Sequence, residues 1–153
     1  MKKHIKVVIC FIFITFMSAE VFEGYTFFTR NNTGGGGGGG ITYLMDHNSN
    51  FIKSWSHSLG AASLPYLLPD SSFIYPYRVQ NPSMNAGGVG GGIQRITWDN
   101  DILWNYTFAN ATYQHHHDVE PLPSGNILLL CGKPKPHKRL MTWGDRSLII
   151  HLI

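Results

Sequence analysis

A strand–turn–strand pattern occurs four times between residues 41 and 130, and no other feature of the sequence constrains the fold as strongly. Each copy has two short runs of β-branched and aromatic residues around a polar or proline-containing turn, which is typical of a β-hairpin. The turns recur roughly every 25–30 residues, so two hairpins span about 50 residues, the length of one four-stranded propeller blade. The pattern predicts an all-β fold, a partial β-propeller of about two four-stranded blades. The four predicted hairpins are 41–55, 66–75, 94–104 and 119–130.

The first nineteen residues have the composition of an export signal. Residues 1–6 are basic, residues 7–17 are apolar, and Ser18 and Ala19 are small residues suited to cleavage. The apolar run is about half as long as the roughly 20 residues that span a bilayer. We therefore predict a secretory signal peptide over 1–19, a secreted or periplasmic protein, and no stable membrane span once the signal is removed. An uncleaved N-terminal anchor is the alternative.

Two further segments lie outside the predicted hairpins. Residues 20–40 end in an unbroken glycine tract at 34–40, which predicts a flexible linker because glycine has no side chain to pack. Residues 131–153 are abruptly basic and rich in proline, and we predict an atypical tail that does not belong to the fold. Cys10 lies in the signal, so no disulfide with Cys131 is expected. Residues 41–130 are left as the propeller portion.

Composition and charge argue against two classes of protein. Charged residues make up 14% of the chain, below the about 25% of typical soluble domains, which argues against a highly charged disordered chain. The net charge is +3, and the basic residues crowd the end of the chain without the interleaved aromatic residues of a nucleic-acid surface. No nucleic-acid partner is predicted.

The run His115, His116 and His117, followed by Asp118, is the strongest candidate site. Side chains alternate along a strand, so His115 and His117 are predicted to share one face, opposite His116. Asp118, or a backbone carbonyl, could hold one imidazole in a single tautomer. The other ring nitrogen would then be available as a nucleophile or a proton carrier.

Two alternatives stay open for this run from the residues alone. A His-x-His pair with a carboxylate is a partial Zn²⁺ or Cu²⁺ shell, which His47 or His57 could complete. The run could also be an exposed, polar strand end without a role. The catalytic interpretation of this run includes no metal and no cofactor.

Two other patterns have structural interpretations. The glycine-rich run 87–92 precedes a strand rather than a helix, which favours a connector that allows close backbone approach over a phosphate-binding loop. Trp55, Trp98 and Trp104 occupy matching places in their hairpins, and they are predicted to pack in the core between blades.

Three strings of residues carry a resemblance to a known family. They are Gly-Gly-Ile-Gln-Arg-Ile-Thr-Trp-Asp at 91–99, Asp-Ile-Leu-Trp at 101–104, and His-His-Asp-Val-Glu-Pro-Leu-Pro-Ser-Gly-Asn-Ile-Leu at 116–128. Together with the hairpin at 43–55, they make residues 41–130 resemble the arylsulfotransferase family. The resemblance implies a six-bladed propeller that transfers a sulfuryl group from a phenolic sulfate ester to a phenol through a histidine. The implied partners are a small-molecule aryl sulfate and a phenol, and His116, His117 and Asp118 are the candidate catalytic residues.

The same resemblance predicts that the chain lacks part of the active site. It implies that the nucleophilic histidine lies in a later blade, beyond this chain. The basic sequence after residue 130 departs from the family pattern, and codon degeneracy allows it to be a shifted reading of a sequence that resembles that pattern. We therefore expect a frameshifted or truncated form that lacks most of the active site. The alternative functions are a secreted propeller that binds or acts as a scaffold without catalysis, and a metal-binding histidine protein.

Overall fold

The computed structural model describes residues 22–31, 38–84, 88–133 and, by their backbone alone, 149–152; the predicted signal lies outside these ranges. The described residues form ten strands and no helix, which confirms the all-β prediction, and none of them belongs to a helix that could cross a membrane. The strands are β1 (Tyr25–Asn31), β2 (Gly40–Asp46), β3 (Phe51–His57), β4 (Tyr66–Leu67), β5 (Phe73–Arg78), β6 (Gly91–Ile96), β7 (Ile102–Thr107), β8 (Gln114–Pro121), β9 (Ile127–Gly132) and β10 (Ile149–Leu152).

The strands are arranged in three small antiparallel sheets. Their orders are β1-β2-β3, β4-β5-β6-β7 and β10-β9-β8. The four predicted hairpins are all present as β2–β3, β4–β5, β6–β7 and β8–β9. The second and third hairpins share the four-stranded sheet, whereas the first and fourth each gain one strand from outside the predicted hairpins.

All four hairpins close through the same turn. The amide of the first turn residue donates to the carbonyl of the residue four positions later, and the amide of the fourth residue donates to the carbonyl of the first. The fourth residue has a left-handed φ between 65° and 87°. This geometry is that of a type I turn followed by a left-handed residue, a common hairpin connection. The left-handed residues are Ser49, Ser71, Asn100 and Gly125.

Two apolar cores hold the three sheets together, one on each face of the middle sheet. Strand β5 is buried along almost its whole length because its alternate side chains enter different cores. Trp55 and Trp98 pack in the first core and Trp104 packs against the second, so their predicted place between packed sheets is confirmed. The first core contains Leu44, Trp55, Ala61, Phe73, Tyr75, Tyr77 and Ile96, and the second contains Ile74, Ile93, Val119, Ile127, Leu129 and Cys131.

Two strands correct the predicted boundaries. Strand β1 lies inside the segment predicted as a linker, and it pairs with β2 over all seven of its residues. Its aromatic and β-branched residues suit a strand, and β2 offers backbone groups that need partners. Strand β10 pairs with β9, so part of the predicted tail also belongs to a sheet. The glycine tract is described only at its end, where Gly40 begins β2.

Candidate functional site

A bulge in β8 places the histidine run. The strand pairs with β9 at His115 and again from Val119, and the register shifts between these two residues. His117 has a left-handed φ of 67°, which is uncommon for a residue other than glycine. The predicted alternation of side chains is therefore wrong. His115 is fully buried and His117 is exposed, instead of lying together on one face.

The two histidines that come together are His116 and His117. Their Nδ1 atoms are 2.6 Å apart, and their ring centroids are separated by 4.2 Å with the ring planes at 66°. A hydrogen bond between two imidazole nitrogens requires that one nitrogen carries a proton and that the other has a free lone pair. Either ring can be the donor of this hydrogen bond, depending on which tautomer each imidazole adopts.

His115 has a different environment from its two neighbours. The backbone N–H of Gly91 donates to the ring Nδ1 of His115 at 3.2 Å, and the backbone N–H of His115 donates to the carbonyl of Phe108 at 2.8 Å. Burial lowers the pKa of His115 from 6.5 to about 4, although the backbone of Asp118 opposes this shift. We assign His115 as a neutral histidine that fastens β8 to the start of β6.

Asp118 accepts hydrogen bonds from hydroxyl groups of β4 and of the connection that precedes it. Its Oδ1 accepts hydrogen bonds from Tyr66 at 2.7 Å and from Ser63 at 3.0 Å, together with one from the backbone of Val119 at 2.9 Å. Partial burial alone would raise the pKa of Asp118, but these hydrogen bonds outweigh burial and lower it. The bonds place Asp118 as an anchor between β8 and β4, and not as a partner that orients an imidazole.

The metal interpretation gains no support in the part of the chain that the structure describes. No group of three or more His, Cys, Asp or Glu residues there is arranged to hold a metal ion. His57, one of the two candidate ligands, lies in the first core, where its ring stacks on Tyr75 at 3.8 Å and its Nε2 bonds to Thr42 at 2.8 Å. His47 lies on the exposed turn between β2 and β3.

No family model matches this chain. No curated protein matches it either.

Two parts of the strings that carry the family resemblance have structural roles. Arg95 forms an ion pair with Asp70 at 2.6 Å and donates to Ser72 at 3.0 Å, so its guanidinium braces the β4–β5 turn. The Leu-Pro-Ser-Gly-Asn string is the β8–β9 turn, closed by hydrogen bonds between Leu122 and Asn126 and between Gly125 and Leu122. The structure gives this string a role in closing the β8–β9 turn, at the opposite end of the hairpin from the histidines.

Sequence reasoning missed Tyr66 and Ser63 as partners of Asp118. They lie 52 and 55 residues before it, and no local pattern links them to the histidine run. The glycine-rich run at 87–92 did carry a signal, because close backbone approach was predicted there. Residues 88–91 lie against the histidines, with hydrogen bonds from Gly90 and Gly91 to His115.

Proposed function

We propose that this chain is part of an arylsulfotransferase-like β-propeller protein, in which the His116–His117 pair binds the sulfate group of a phenolic sulfate ester. One observation carries the proposal: two imidazoles in contact through Nδ1, on a bulge that exposes His117. The motif that resembles the family includes both histidines, and both lie on this bulge.

The packing of the sheets supports the propeller part of the proposal. Three consecutive antiparallel sheets pack face to face through apolar cores, which is how propeller blades contact their neighbours. The strand order of the middle sheet follows the chain order, as in a blade that is built from one strand to the next. In this arrangement β4 and β8 are the first strands of neighbouring blades, and Asp118 links them.

The chemistry of the pair suits a sulfate ester. A protonated imidazole donates a charge-assisted hydrogen bond to an anionic oxygen, and such bonds are stronger than those between neutral groups. When the bond from sulfur to the phenolic oxygen breaks, its electron pair stays on that oxygen as a phenolate. The proposed role of His117 is to hold a sulfate oxygen through this charge-assisted bond while the phenolate leaves, which is preorganised electrostatic catalysis. The sulfuryl group would pass to a nucleophilic histidine and then to a phenol, as the resemblance implies.

Binding of 4-nitrophenyl sulfate to the purified chain tests the proposal, with His117→Asn as the variant and His47→Asn as a matched exposed control. We expect the wild-type protein to bind the ester, and His117→Asn to weaken binding by about tenfold or more, because a hydrogen bond to a charged group is lost. His47→Asn should bind as the wild type does. Equal affinity in His117→Asn and wild type, or no binding by the wild type, would overturn the proposal.

An assay of transfer separates catalysis from binding alone. The assay uses a protein with the full-length reading frame restored, because the resemblance implies that the nucleophilic histidine lies beyond this chain. Release of 4-nitrophenolate that depends on an added phenol and is lost in His117→Asn would show that the histidine pair takes part in turnover. Binding without release by the restored protein would favour the alternative, a propeller that binds small anionic aromatic molecules without transferring the sulfuryl group.

A further inference from the structure

A short glycine-rich segment pairs with the three histidines in antiparallel register. The N–H of His117 donates to the carbonyl of Gly88 at 2.7 Å, and the N–H of Gly90 donates to the carbonyl of His115 at 3.2 Å. Between them, Val89 forms an isolated antiparallel bridge with His116. Each histidine of the run therefore has one partner in the segment 88–90.

The two glycines of this segment lie where a side chain would collide with an imidazole. A Cβ on Gly88 would overlap the ring of His117, and a Cβ on Gly90 would overlap the ring of His115. The ring of His117 thus lies directly over the bare Cα of Gly88. Gly88 also has a left-handed φ of 78°, so its place in the loop suits glycine for two separate reasons.

We propose that Gly88 is a positioning residue for the histidine pair: its bare Cα is the surface on which the His117 ring rests, and this fixes His117 Nδ1 against His116. The inference rests on the proposed function, since it assigns Gly88 a role in binding the sulfate ester. Gly88 acts through His117 and need not contact the ester itself. Small misplacements of a binding group have large effects, because hydrogen-bond strength depends steeply on distance and angle.

Gly125 offers a control that separates the effect of the left-handed backbone conformation from the effect of the collision with His117. It has a similar left-handed φ of 87°, but no atom lies within 4 Å of the position of its Cβ. Gly125→Ala therefore imposes the backbone strain alone, whereas Gly88→Ala imposes that strain together with the collision with His117.

The first test compares the two variants by NMR and by binding of 4-nitrophenyl sulfate. The imidazole ¹⁵N signals of His116 and His117 report the hydrogen bond between their Nδ1 atoms. We expect Gly88→Ala to shift these signals and to weaken ester binding by about tenfold to a hundredfold. Gly125→Ala should leave both unchanged.

Imidazole signals in Gly88→Ala that match the wild type would overturn the inference, whether or not the wild type binds the ester. Absence of ester binding by the wild type, with shifted signals in Gly88→Ala, would instead count against the proposed function.

A double-mutant cycle keeps the inference testable if Gly88→Ala folds poorly. In the His117→Ala background the ring is absent, so Gly88→Ala should lower the thermal unfolding midpoint no more than Gly125→Ala does in that background. In the protein that keeps His117, Gly88→Ala should lower the thermal unfolding midpoint clearly more than Gly125→Ala does. Equal effects of Gly88→Ala in both backgrounds would show that the His117 ring does not rest on Gly88.

Discussion

Asp118 links the sheet that contains β8 to the sheet that contains β4 by hydrogen bonds. Its carboxylate accepts hydrogen bonds from Tyr66 and Ser63 of the preceding segment, and those bonds lower its pKa against the opposing effect of partial burial. Because the carboxylate is the form that accepts them, this link contributes stability above the pKa of Asp118 in the unfolded chain. That contribution is lost as the pH falls through the lowered pKa of the folded state.

We predict that Tyr66→Phe raises the pKa of Asp118 towards its ordinary value, because the hydrogen bond from Tyr66 contributes most among those that lower this pKa. Carboxyl ¹³C NMR titration measures the change. Ser63→Ala should have a smaller effect in the same direction, and Tyr25→Phe, on an exposed side chain of β1, should have none. An unchanged Asp118 titration in Tyr66→Phe would contradict the assigned hydrogen bond.

The hairpin is the element that repeats, and its turn is the same in all four copies. Three of the four turns have serine or asparagine at the left-handed position, and only the fourth has glycine. A left-handed conformation costs an L-residue roughly 1–2 kcal/mol, whereas glycine adopts it without that penalty. The three turns without glycine therefore carry backbone strain that the sheet pairing on either side overcomes.

For the hairpins, we predict that Ser49→Gly raises the free energy of unfolding by up to about 1 kcal/mol, since the relief of strain exceeds the added chain entropy of glycine. Urea denaturation measures the difference. The matched control is Ser54→Gly, in the extended strand β3, where glycine should destabilise the protein by roughly 0.5–1 kcal/mol. Destabilisation by Ser49→Gly comparable to that of the control would contradict the prediction.

Across the whole molecule, the buried His115 and the half-buried His57 make the fold sensitive to acid. Burial lowers the pKa of both His57 and His115 from 6.5 to about 4. Between these values the unfolded chain binds protons that the folded protein does not. Stability is therefore complete above about pH 6.5 and falls as the pH is lowered from 6.5 to 4, with no further loss from these two groups below that range.

We expect His115 to contribute up to about 3 kcal/mol of the loss in unfolding free energy between pH 7 and pH 4, since one pKa unit corresponds to about 1.4 kcal/mol. His57 should contribute less, because its partial exposure lets solvent screen the charge. Urea denaturation at a series of pH values should show a shallower decline for His57→Gln than for the wild type. His47→Gln, on an exposed turn, should keep the wild-type slope. A decline of equal steepness in His57→Gln would show that burial of His57 does not govern the acid response.

Much of the secondary structure was predictable because hairpins depend on local sequence. Runs of β-branched and aromatic residues around polar turns located β2 to β9, and the turn residues supplied the closing hydrogen bonds. Strand β1 was not predicted, because the neighbouring glycine tract indicates a flexible linker for residues 20–40. Strand β10 was missed because the basic tail before it gave no hairpin pattern. Both strands are held by pairing with a neighbour that the local sequence does not specify.

The candidate site was located by sequence but its geometry was not. The histidine run is visible in the sequence, yet strand alternation placed His115 with His117, and the bulge at His117 replaced that pair with His116 and His117. The bulged residues contact the segment 88–91 and Tyr66, which come from other parts of the chain.

Strand propensity and turn chemistry act over a few residues, so the amino-acid sequence is sufficient to predict β-hairpins with three consecutive histidines in one strand. Which histidine is buried, which two are in contact and what Asp118 binds emerge only when the sheets pack together. Those outcomes depend on contacts between sheets, where burial, backbone approach and hydrogen-bond geometry are set by residues far apart in the chain.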